Sequence, residues 1–133
     1  MLLDTNATLY LGEGKPMRAD AVAAIDAAAS SATLLISPVT GWEIGLLVRK
    51  RRMSLSLEPL LWFRTFLSRS GARPTPLTAE AAITSSFLPE PFHGDPADRM
   101  LVATARELGA ALVTRDARIL AYAEAGHLQA MAC

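Results

Sequence analysis

The chain has 133 residues, enough for one domain with a real core that needs no disulfide or structural metal. Half of it is hydrophobic, alanine is abundant and aromatics are few, which excludes the disordered and fibrous classes. Basic and acidic residues number 13 each, so net charge makes no case for a nucleic-acid partner. Charge placement says more: Arg49, Lys50, Arg51 and Arg52 form one basic cluster, and a neutral protein can bind a polyanion through a local patch. Cys133 is the only cysteine, so no intrachain disulfide forms, which suits a reducing cytoplasm. Met1-Leu2-Leu3-Asp4 has neither the basic region nor the long apolar segment of a signal peptide. No apolar run reaches bilayer-spanning length. The expectation is a soluble cytoplasmic protein without membrane association, one domain over residues 1–133.

In chain order, Met1–Leu3 reads as a short strand stopped by the turn residues Asp4-Thr5-Asn6. An Ala-rich helix is predicted over Pro16–Ser30. The apolar run Thr33–Ile36 suits a strand buried on both faces of a parallel sheet. A helix follows from about Val39 to Arg52, then another over Leu57–Ser70, so apolar that one buried face scarcely holds it, and Gly71 stops it. Arg73–Leu77 is a short strand weakened by Pro74 and Pro76. Thr78–Ser86 is a short helix and Pro89–Gly94 a loop. Asp95-Pro96 opens a strong helix that Gly109 ends. Ala110–Val113 is another buried strand. Thr114-Arg115-Asp116 then leads into a helix that starts at Ala117 and ends near Gly126, and Leu128–Met131 is a last edge strand. Strands alternating with helices define an α/β fold with a mostly parallel sheet of four to five strands and helices on both faces.

Parallel sheets build sites at the carboxyl ends of their strands. Asp4 follows the first strand, Asp116 follows the fourth, Glu43 lies early in the helix after the second, and Asp98 lies in the first turn of its helix. All four are expected at one sheet edge. Each also has a plain structural reading: Asp4 an Asx-turn, Asp95 and Asp116 helix caps, Asp98 a favourable charge at a helix start. Glu43 is different. Val39, Trp42, Leu46 and Leu47 share an arc at helical spacing and Glu43 falls inside it, where a carboxylate needs a metal or a basic partner. Converging carboxylates without histidine or cysteine suit a hard cation, Mg2+ or Mn2+. His93, His127 and Cys133 lack zinc-ligand spacing, and His93 is read as polar loop surface. An ion among carboxylates can acidify a water and stabilise a leaving oxygen, which is the chemistry of phosphodiester hydrolysis.

LLDTN at the N-terminus, SPVTGWEIGLLVRK around Glu43 and HGDPADRMLVATARELGAALVTRD from His93 occur in an order and spacing that resemble a PIN domain, and more narrowly the VapC toxins of bacterial toxin–antitoxin pairs. The resemblance spans nearly the whole chain, and the last motif is the most specific. It implies a three-layer α/β/α sandwich and a divalent-metal-dependent endoribonuclease. The acids that match the family pattern are Asp4, Glu43 of the W-E-[IL] helix, Asp98 of DRMLVATA and Asp116 of T-x-D. Asp95 ranks below them, as a metal ligand or a helix cap. Thr5, Asn6 and Thr114 are expected in support, and Thr5 and Thr114 resemble the family's small hydroxyl residues. Arg99, Arg115 and Lys50 are candidate RNA contacts, with solvated surface charge as the plain alternative. The resemblance further implies an antitoxin partner and a homodimer, to which the apolar excess of Leu57–Leu67 could contribute. A non-catalytic PIN-like RNA- or protein-binding module is the rival reading, and the presence of all four acids weighs against it. Aspartyl-phosphate chemistry would want an acid where Asn6 stands, and Leu11-Gly12-Glu13-Gly14 does not complete a dinucleotide fingerprint.

Overall fold

A computed structural model describes residues 1–92 and 94–133, so the reading of His93 lies outside the described residues. The elements run β1 (Leu2–Leu3), α1 (Thr5–Gly12), α2 (Ala19–Ser30), β2 (Leu35–Ile36), α3 (Pro38–Arg49), α4 (Pro59–Ser70), β3 (Arg73–Pro74), α5 (Ala79–Thr84), a 3-10 turn (Ser85–Phe87), α6 (Pro96–Leu108), β4 (Leu112–Thr114), α7 (Ala117–Glu124) and β5 (Ala130–Ala132). The five strands form one sheet in the order β3-β2-β1-β4-β5, and every pairing is parallel.

Register explains the three layers. Leu2 pairs with Leu35 and Leu112, while Leu3 pairs with Ile36 and Val113. Successive strand residues point to opposite faces. Leu3, Ile36 and Val113 accordingly join Ala7, Ile25, Trp62 and Phe66 from α1, α2 and α4. Leu2 and Leu112 join Ala81, Val102, Ile119 and Tyr122 from α5, α6 and α7. Leu2 and Leu3 of β1 and Leu112 and Val113 of β4 are buried on both faces, so these central runs are continuously apolar rather than alternating.

Local chemistry sets the helix ends. Ser37-Pro38, Glu58-Pro59 and Asp95-Pro96 each place a capping acceptor before a proline at the first helical position. Gly71 and Gly109 close α4 and α6 at φ of 69° and 58°, a left-handed conformation that glycine adopts without steric cost. Pro74 is tolerated because β3 is an edge strand, bonded on one side only.

Two expectations are corrected. The segment after Asp4 is no simple turn: Asp4 caps α1, which begins at Thr5. On α3 the buried residues are Val39, Thr40 and Ile44, while Trp42 is 54% exposed, so the apolar arc expected to include it is not the buried one.

Candidate metal-dependent active site

β1 feeds β2 and then β3 on one side, whereas β4 and β5 lie on the other. The two directions part between β1 and β4, the switch point at which open parallel sheets form ligand crevices. Asp4 stands immediately after β1, and Thr114 ends β4 with Asp116 two residues on.

Asp4 is 3% exposed and its two oxygens have separate partners. Oδ1 accepts from the Ala7 amide at 2.6 Å and so caps α1. Oδ2 accepts a short hydrogen bond from the Thr114 hydroxyl across the β1–β4 seam. The same Thr114 oxygen accepts from the Asp116 amide at 3.0 Å, so one buried hydroxyl ties both acids together. Thr5 donates to Glu43 Oε2 at 2.6 Å and links the start of α1 to α3. That hydrogen bond from a neutral hydroxyl opposes the effect of burial on Glu43 without balancing its charge. Asn6 is exposed on α1.

The electrostatics are those of carboxylates crowded together and partly buried. Burial first, then repulsion from Glu43 and Asp116, raises Asp4 to about 6 against the lowering effect of its two hydrogen bonds. Burial, followed by the charges of Asp95, Glu43, Asp116 and Asp4, raises Asp98 to about 7. Burial also raises Glu43, with Asp95 adding repulsion and the Thr5 hydroxyl opposing it. These mutual effects place all five acids in one electrostatic neighbourhood. Asp95 is exposed, and its Oδ1 caps α6 through the amides of Ala97 and Asp98 at 3.0 and 3.2 Å.

Asp116 goes the other way. The guanidinium of Arg118 binds it through Nε at 3.3 Å and a terminal nitrogen at 2.9 Å, and the Arg118 amide donates at 2.7 Å, holding the carboxyl below its usual range. Arg118 also lies in the field of Asp98 and Asp95. Sequence reading missed this residue, because an arginine two positions after an acid looks like ordinary surface charge. It also missed Thr40, fully buried one helical turn before Glu43, whose hydroxyl has no partner among the described residues. The spacing Ser37, Thr40, Glu43 along α3 was the available signal.

The basic candidates fall apart by role. Arg99 donates to the backbone oxygens of Ser85, Ser86 and Phe92, and braces the turn before α6. Arg115 lies 4.2 Å over the Tyr10 ring and donates to the backbone oxygen of Cys133, clipping α1 to the end of the chain. Lys50 is exposed at the C-terminal cap of α3, within the basic cluster.

The donor set of Asp4, Glu43, Asp98 and Asp116, with hydroxyls behind it, is all oxygen and fits a hard divalent cation. Among the described residues no three acidic, histidine or cysteine groups are drawn in to ligand spacing around one point, and like charges are expected to keep apart.

An all-parallel five-stranded sheet between helical layers, with carboxylates gathered at its switch point, defines an acidic-cleft α/β domain. The PIN domain family model matches residues 1–125, and the chain belongs to that family. It is 33% identical over 119 residues to Ribonuclease VapC22 of Mycobacterium tuberculosis, an alignment that covers 90% of this chain and 88% of that one. Among solved structures, the fold matches VapBC2 from Rickettsia felis bound to a promoter DNA fragment, with TM-score 0.72 and 19% identity over 98% of this chain and 96% of that one. It also matches DNA-bound VapBC from Salmonella typhimurium, with TM-score 0.69 and 20% identity over the same shares.

Proposed function

We propose that residues 1–133 act as a single PIN unit, a Mg2+- or Mn2+-dependent endoribonuclease that serves as the toxin of a toxin–antitoxin pair in the cytoplasm. The observation that carries this reading is the set of acids from four separate elements at the sheet's switch point, two of them held far above the ordinary carboxylate range. Burying several carboxylates close together is costly, and a divalent cation would relieve that cost. Asp4, Glu43, Asp98 and Asp116 would hold the ion, with Asp95 at the margin. When bound, the ion supplies Lewis acidity and an acidified water for attack on phosphorus.

The chain's own groups do the positioning. Thr114 holds the Asp4 carboxyl and the Asp116 backbone amide, Arg118 holds the Asp116 carboxyl and Thr5 holds Glu43, so three of the four acids have little freedom to reorient. Asp98, in the first turn of α6, would complete the donor set from a fourth element. Lys50 and the neighbouring arginines are proposed to meet the RNA backbone through its phosphates. The antitoxin partner is supported by the likeness to VapBC complexes. A homodimer is supported by the exposed apolar residues Trp42, Leu60 and Leu61 on the packed pair α3 and α4.

The test is cleavage of a mixed RNA pool by folded, partner-free protein with Mg2+, with Mn2+ and with EDTA, beside Asp98→Asn. Discrete cuts that need the ion and vanish in the variant are expected. Absence of cleavage under either ion would overturn the enzymatic reading in favour of a binding module.

A further inference from the structure

The face formed by the Glu90–Phe92 loop and α7 holds a second cavity, of about 480 Å3. Pro91, Ala121 and Ala125 line it together with a ring stack. In that stack Phe92 and Tyr122 have centroids 4.5 Å apart, and Tyr122 and His127 4.4 Å apart. The stack is fixed from behind. The Tyr122 hydroxyl donates to the Pro89 carbonyl at 2.9 Å, and the Arg99 guanidinium sits 5.8 Å from the Phe92 ring centre. Glu90 is also oriented, because its Oε2 accepts from the Phe92 amide at 3.0 Å. The remaining wall is Arg118, the side chain whose guanidinium grips Asp116. The cavity and the acidic cleft therefore share a residue.

We propose that this cavity receives a nucleobase of the RNA strand, adjoining the phosphate handled at the carboxylates, with Arg118 at the boundary between the two. The proposal rests on the nuclease reading and names a subsite for its substrate. The volume lies in the range of preformed small-molecule clefts, roughly 300–1,000 Å3. A base presents a flat apolar face and an edge of N–H donors, and the cavity presents ring and methyl surface with an oriented carboxylate acceptor. Arg118 supplies positive charge where the sugar–phosphate link must pass from cavity to cleft. Two further cavities, of about 520 Å3 beside Gly12 and Trp62 and about 470 Å3 beside Leu120 and Leu128, include none of the site acids in their linings.

The test is NMR of alanine methyls in the metal-free protein, titrated with AMP, GMP, CMP and UMP and, as control, ribose 5-phosphate. Ala121 and Ala125 are exposed on the cavity side of the helix region, so their substitution leaves the core alone. Saturable shifts at these two methyls are expected with at least one nucleotide. Binding should weaken by roughly tenfold or more in Ala121→Leu and in Ala125→Met, which fill the cavity, the scale of one lost stacking contact. Mn2+ affinity should stay unchanged in both variants. Unmoved methyls with all four nucleotides would overturn the proposal and leave the cavity to a protein partner. Equal shifts with ribose 5-phosphate would overturn it too, by reducing the effect to a phosphate on Arg118. RNA cleavage is read separately: a protein that cuts RNA with unmoved methyls loses the subsite and keeps the reaction. A protein that binds a nucleotide here and cuts nothing keeps the subsite and loses the reaction.

Discussion

Asp4 answers two demands with one carboxyl group: one oxygen caps α1 and the other is bonded across the sheet. The two functions separate on substitution. Asp4→Asn keeps an oxygen for the Ala7 amide, and its NH2 can donate to a rotated Thr114 hydroxyl. It also removes a charge that burial disfavours. In EDTA at neutral pH, thermal denaturation should show Asp4→Asn at least as stable as the parent. Asp4→Ala, which loses the cap, should be lower by about 1 kcal/mol. Both should lack metal-dependent cleavage. An asparagine variant less stable than the alanine one would mean that the charge itself supports the fold. Arg118 presents the converse case, a cation already seated on a metal-binding candidate. Arg118→Ala should bind Mn2+ severalfold more tightly by calorimetry, and an unchanged affinity would show that the guanidinium does not compete. The acids were legible because each falls at a strand end or helix start where the chain order puts it at one edge. Arg118 was not, since its meaning comes only from where its guanidinium points.

At the scale of elements, the strands were legible from their apolar runs and the strongest helices from their prolines, caps and terminal glycines. α1 was not. Its first residues are turn formers, and its inward side includes the polar Thr5 and Thr8, so no helical apolar stripe announces it. Thr8 is held by a 2.7 Å bond to the Asp4 carbonyl, a helical arrangement that the sequence does not display. The α3 arc misled for a related reason. Tryptophan is read as core, yet Trp42 stands largely in solvent while Thr40 is fully buried. The join of α1 to α4 is tight. A Cβ on Gly12 would lie 2.5 Å from the Trp62 ring, which is stacked on Phe66 at 5.6 Å and donates to Glu13 at 2.7 Å. The ring has little room to yield, so Gly12→Ala should destabilise by about 1–3 kcal/mol in urea unfolding. A neutral outcome would show that the α1–α4 seam relaxes freely.

For the whole molecule, the raised acids make stability depend on pH. Asp4 and Asp98 titrate at about 6 and about 7 in the folded chain, against 3.8 for the ordinary group. Between those values the folded state binds more protons than the unfolded one, so stability falls as pH rises from about 4 to about 7. Glu43 acts in the same direction. Asp116, shifted down, contributes the opposite slope only below that window. Metal-free protein should therefore melt at a higher temperature at pH 5 than at pH 7.5. Mg2+ or Mn2+, competing with those protons, should stabilise increasingly over the same range. A flat profile in EDTA would mean that the cleft is better solvated than its burial implies. The bond between Thr114 and Asp4 spans 110 positions of sequence. During synthesis Asp4 is made long before the hydroxyl that secures it and the aspartate that follows that hydroxyl. A half-made copy thus has a central strand with one neighbour missing and no assembled set of acids. On the proposed activity, the chain cannot attack RNA, including the message it is being read from, before synthesis has passed Asp116.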